Sequence, residues 1–172
     1  MNAVLLILPL FLIRFGLLGI INKEALKRAA FFAPVEGREK IAFYAYEISN
    51  AVLILYPLAL QIHMQTLLYD AGLFVYAAGV GVLIVSTVCF AKPGQSGINT
   101  NGIYRISRNP MYLGYFLYFA GCVMLTRSLL LLFSLLVFQL SAHWIILSEE
   151  RWCIRRFGRE YEQYMLEVRR YI

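Results

Sequence analysis

Five stretches of the chain stay apolar for close to the roughly 20 residues that a bilayer-crossing helix needs. They are residues 3–21, interrupted by Arg14; 41–60, carrying Glu47, Asn50 and Pro57; 71–90, rich in glycine and β-branched side chains; 110–125; and 128–147. The fourth is short for a full span and is expected to tilt or thin the bilayer around it. Only Thr126 and Arg127 separate it from the fifth, so the two read as a helical hairpin with a tight turn. Residues 91–109 are rich in Gly, Asn, Ser and Thr and run into Pro110, a pattern of ordered turns rather than helix. Beyond the last span, Phe157, Tyr161, Tyr164 and Val168 recur at helical spacing, opposite Arg155, Arg156, Arg159, Glu162 and Arg169. That pattern predicts one amphipathic helix over 149–171, lying on anionic lipid or packed as a lid over the preceding loop. The expected fold class is all-α: a polytopic transmembrane helix bundle of about five spans with a C-terminal amphipathic helix. It forms a single domain, 1–172, with the three N-terminal spans in 1–90 and the loop, hairpin and C-terminal helix in 91–172.

Composition sharpens this picture. The 172 residues are 60% hydrophobic and 15% charged, where a soluble domain carries about 25% charged residues. The excess apolar surface needs the bilayer as its solvent. Residues 1–13 have no basic leader region and no small-residue cleavage site follows them, so a removed signal peptide is not expected. Cys89, Cys122 and Cys153 stand singly and imply neither a disulfide framework nor a metal site.

The formal charge is +6, yet the basic residues interrupt apolar runs instead of forming a nucleic-acid patch. All of the 16 lysines and arginines except Arg14 and Arg127 fall after the first span, after the third, or after the fifth. These are Lys23, Lys27, Arg28, Arg38 and Lys40, then Lys92, Arg105 and Arg108, then the C-terminal arginines from Arg151 to Arg170. Five spans with this bias place the N-terminus outside and the C-terminus in the cytosol. The membrane would be the plasma or inner membrane of a prokaryote, or the endoplasmic reticulum of a eukaryote.

Two blocks carry the chemistry. The first, residues 102–114, reads G-x-Y-x-x-x-R-N-P-x-Y-x-G, with Tyr104, Arg108, Asn109, Pro110, Tyr112 and Gly114. The second holds Glu149, Glu150, Phe157, Gly158, Tyr161, Tyr164, Val168 and Arg170. In this order, with a hydrophobic hairpin between them, the blocks resemble the membrane methyltransferase superfamily of isoprenylcysteine carboxyl methyltransferases and bacterial phospholipid N-methyltransferases. The resemblance implies S-adenosylmethionine as methyl donor, held among the last spans, the preceding loop and the C-terminal helix. It also implies a lipophilic acceptor that enters sideways from the bilayer. By similarity, Tyr104, Arg108, Asn109, Pro110 and Tyr112 line the donor pocket, and Glu150 with Glu149 closes it. The isoprenylcysteine branch typically has histidine before the proline; Asn109 here is closer to the phospholipid branch.

The residue types suit the chemistry. Methyl transfer from a sulfonium is an in-line displacement, which rests mainly on alignment. Tyrosine faces suit the sulfonium cation. Arg108 suits a carboxylate, and Glu150 suits an ammonium or ribose hydroxyls. Together with what the resemblance implies for Asn109, this makes Arg108, Asn109 and Glu150 the candidate catalytic residues. An amine acceptor has to lose a proton, for which Glu150, His143 or water is available. A carboxylate acceptor needs no base. Asn109 cannot take a proton and tilts the reading toward a lipid amine.

Glu47, Asn50 and His143 are the candidate acceptor-binding residues, against plain packing for His143 and an ion pair with a nearby arginine for Glu149. No pattern specifies an oligomeric state. The competing functions are a transporter or scaffold, and an NADPH-dependent membrane reductase of related fold. One further expectation concerns the N-terminal half. Arg14 before Ile21 and Glu47 after Ile41 both sit roughly 10 Å below the same boundary, which predicts an Arg14–Glu47 ion pair between the first two spans.

Overall fold

The structure is a computed structural model and describes residues 1–37, 39–64 and 67–171. Arg38, one of the boundary cations counted above, lies outside the described residues. The described chain is helical: α1 (Ala3–Ile21), α2 (Lys23–Ala29), α3 (Glu39–Ala59), α4 (Leu67–Phe90), α5 (Pro110–Thr126), α6 (Leu129–Phe157) and α7 (Arg159–Glu167). Four of these, α1, α3, α4 and α6, are long and apolar enough to cross a membrane. Helix α5, with 17 residues, reaches about 25 Å at 1.5 Å per residue, short of a hydrocarbon core of about 30 Å. The expected five-helix membrane bundle is therefore present, with one short member.

Close packing is built on small residues. A Cβ at Gly79 of α4 would overlap the Tyr118 backbone, and one at Gly121 of α5 would overlap that of Tyr76. Two glycines facing opposite tyrosines let α4 and α5 approach backbone to backbone, the usual device where lipid gives no hydrophobic drive for helix association. Helix α1 joins this pair through the Leu6 carbonyl, which accepts hydrogen bonds from the hydroxyls of both Tyr76 and Tyr118. Helix α3 packs along α6, where the Tyr46 and Phe138 rings stack with centroids 4.7 Å apart.

Helices α1 and α3 meet at one end only. There the Ala3 amide donates to the Leu60 carbonyl at 3.0 Å, and the Ile62 amide to that of Met1 at 2.8 Å. Toward the basic end the two helices separate, and the connection through α2 crosses that gap. Its Phe32 packs on Phe43 and Tyr46 of α3, and its Phe31 on Trp152 of α6. Asn22 begins α2 by accepting from the Glu24 and Ala25 amides, as an N-cap should. It also donates to the Ala91 carbonyl beyond α4.

The C-terminal segment differs from the single helix that its periodicity suggests. Helix α6 continues past its apolar run to Phe157, Gly158 breaks it at φ 56° and ψ −133°, and α7 leaves in a new direction. An L-residue rarely adopts that backbone conformation, so glycine there allows the turn. Tyr161, Tyr164 and Val168 nevertheless share one face, and that face packs on Ile98 of the 91–109 loop. The lid arrangement that the pattern allows is therefore present, and it is compatible with the opposite, charged face lying on anionic lipid.

Candidate active site

The sequence sets Pro110 at the first turn of α5, where a missing amide costs nothing. The preceding Arg108 and Asn109 are thereby held in non-helical backbone beside α6. Arg108 Nη2 lies 2.6 Å from Glu150 Oε1, with the two side chains only 6% and 5% exposed. Arg170 grips the same carboxylate from the C-terminal tail, its Nε at 3.0 and 3.1 Å and its Nη2 at 2.7 Å. The other nitrogen of Arg108, Nη1, donates to the carbonyls of Met165 and Val168. The Arg108 amide and the Asn109 side chain donate to the carbonyls of Arg169 and Arg170. Loop, α6 and tail are thus tied into one knot by charge-assisted bonds.

The sequence assigns Glu150 to a ligand ammonium or hydroxyl; here both of its oxygens accept from guanidinium groups, and the residue also lines the cavity. Arg108 keeps a buried Nε–H that has no partner. Glu149, its neighbour, lines the cavity and accepts from the Tyr112 hydroxyl at 3.2 Å. The Tyr164 hydroxyl donates to the Tyr104 carbonyl at 2.6 Å, fixing the loop beneath the lid. Burial pushes the Tyr164 phenol up to about 12 and raises that of Tyr104 as well, so both phenols stay protonated.

These groups border a cavity of about 920 Å³. Tyr104, Arg108, Asn109, Tyr112, Glu149 and Glu150 all line it, joined by Asn99, whose buried Oδ1 has no partner. Pro110 acts from behind, as a helix start. Phe11, Phe15, Ile54, Phe119 and Phe138 line the same cavity, together with Glu47 and Asn50. His143 stands outside this lining; its Nδ1 meets the Tyr171 hydroxyl at 2.9 Å instead.

The expected Arg14–Glu47 ion pair is absent. Arg14 donates to the Tyr115 hydroxyl at 3.1 Å and to the Ala29 carbonyl. Ala29 ends α2, so the cation sits at the negative end of a helix dipole and has no need of Glu47. Tyr115 and Asn99 are site residues that the sequence does not single out, and they carry no signal in it. Arg170 is named in the second motif block, but the sequence assigns it no role.

Comparison with known proteins bears on the same region. The phospholipid methyltransferase family model matches residues 84–160, from within α4 to the start of α7. A protein of Schizosaccharomyces pombe named protein-S-isoprenylcysteine O-methyltransferase is 38% identical over 71 residues, which are 40% of this chain and 30% of that protein. The match thus spans less than a third of the relative. No solved structure matches the chain. Together the two matches bear out the resemblance carried by the motif blocks, to the superfamily of membrane methyltransferases that includes the isoprenylcysteine and phospholipid enzymes.

Proposed function

We propose that this chain is a membrane methyltransferase that uses S-adenosylmethionine to methylate a lipid-like acceptor at the cytosolic face. The observation that carries this reading is a single cavity lined both by the motif residues Tyr104, Arg108, Asn109, Tyr112 and Glu149 and by the apolar side chains Phe11, Phe15, Ile54, Phe119 and Phe138. One space of this kind can hold a charged donor and a lipophilic acceptor with their reacting atoms together.

The polar lining residues fit the donor. The unpartnered Arg108 Nε–H suits its carboxylate, and the unpartnered Asn99 Oδ1 suits its ammonium. The Tyr104 and Tyr112 rings offer faces to a sulfonium. The donor, once bound, supplies an electrophilic methyl group. The chain's own task is alignment and the exclusion of water. Glu150 and Arg170 hold Arg108 in place, and Asn109 holds the tail. Where the acceptor is an amine, the tilt that Asn109 gives, Glu149 is the cavity carboxylate placed to take its proton. The clustering of basic residues in the loop and tail orients the site toward the cytosol.

Labelled methyl transfer from S-adenosylmethionine into a total lipid extract tests the reading directly. Binding of S-adenosylhomocysteine is the expected companion result. Stabilisation of the purified protein by NADPH alone would overturn it.

A further inference from the structure

The N-terminal half holds a feature that donor binding does not use. Glu47 lines the cavity, and its Oε1 is buried without a hydrogen-bond partner. It lies on α3, within a membrane-crossing segment, where a charged side chain is costly and is normally paired. The cation that the sequence offers, Arg14, is engaged by Ala29 and Tyr115. A glutamine would fill the same volume without the charge. Among the described residues no hydrogen bond or ion pair engages this carboxylate, and the cavity that Glu47 lines is the space from which a partner can reach it.

The surroundings say what kind of partner fits. Tyr46 and Phe138 form a stacked pair beside Glu47, and Phe119 packs edge-on against Phe138. All three rings line the cavity, as does Asn50 one turn from Glu47. A carboxylate among aromatic rings is an arrangement that holds organic cations. Arg14 lines the same cavity. It repels a cation from its own wall. An anionic head would leave Glu47 unpaired.

We propose that Glu47 is the specificity-determining residue of the acceptor site, receiving a cationic head group on a lipophilic chain. This rests on the acceptor reading above, and the test separates the two. The purified full-length chain in detergent is titrated with dodecylamine and with dodecanoate, with and without S-adenosylhomocysteine. The wild type should bind the amine at least about tenfold more tightly, the span expected of a hydrogen bond to a charged group. Glu47→Gln should erase that preference while leaving S-adenosylhomocysteine affinity intact, and Glu47→Asp should retain its sign. No amine preference in the wild type overturns the proposal, as does a preference that survives Glu47→Gln. Should Glu47→Gln not fold, the wild type and Glu47→Asp still decide it. Failure to bind S-adenosylhomocysteine would count against the methyltransferase reading alone, because the head-group preference is read without it.

Discussion

Glu150 accepts from two arginines that are far apart in sequence, Arg108 at 2.6 Å and Arg170 at 2.7 Å. The first comes from the loop before α5 and the second from the tail beyond α7, so this carboxylate joins three chain segments at the mouth of the cavity. Removing one partner of a buried ion pair leaves an uncompensated charge, at a cost of about 3–5 kcal/mol. Glu150→Gln should therefore lower thermal stability as well as donor affinity. Glu149→Gln, which leaves Tyr112 an amide oxygen in place of the carboxylate, should cost no more than about 1 kcal/mol. Thermal melts of the two variants compare them; equal losses would contradict the knot.

Arg170 is partly exposed, so its contribution is screened. Arg170→Met should cost less than Glu150→Gln, about 1–2 kcal/mol, because Arg108 still pairs with the carboxylate. It should also loosen the tail that holds Asn109. Faster proteolysis or amide exchange over 159–171 would report this, with the membrane helices unchanged.

Glu149 is expected to act on turnover more than on binding. With an amine acceptor, Glu149→Gln should lower kcat by about 10²–10⁴-fold, the range of a lost general base. S-adenosylhomocysteine affinity should stay within about threefold, since Tyr112 still has an amide oxygen to donate to. A calorimetric titration beside a labelled-methyl assay measures both. A loss confined to affinity would move Glu149 into the donor site.

Arg14 and Glu47 should behave independently. Without a direct contact, the stability effects of Arg14→Met and Glu47→Gln should add to within about 0.5 kcal/mol in a double-mutant cycle. Arg14→Met and Tyr115→Phe should couple, because they break one hydrogen bond between them. Strong coupling in the first cycle would restore the pairing that depth alone suggests.

Gly158→Ala forces a Cβ into a backbone conformation that glycine tolerates and alanine does not. The expected cost is about 1–3 kcal/mol, felt as undocking of α7 from Ile98. Exchange or tryptophan fluorescence near Trp152 should change before the bundle melts.

The membrane helices were legible along the chain because each is a local property. Length and unbroken apolarity suffice to mark a span, and the observed helices depart from the expected ranges mainly at their ends. The motif block from Tyr104 to Tyr112 was equally local, and its residues do gather at one cavity. What sequence alone determined was therefore the class of the fold, the basic end of the bundle and the loop that carries the chemistry. Tertiary structure decided the partners. Arg14 and Glu47 share a depth, but depth says nothing about the gap between α1 and α3, which the connection through α2 crosses. Glu150 seemed free for a ligand until the tail brought Arg170 to it, and Gly158 sets that path by a single backbone turn. Electrostatic partners are chosen by distances of a few ångströms between segments remote in sequence, and only packing fixes those distances.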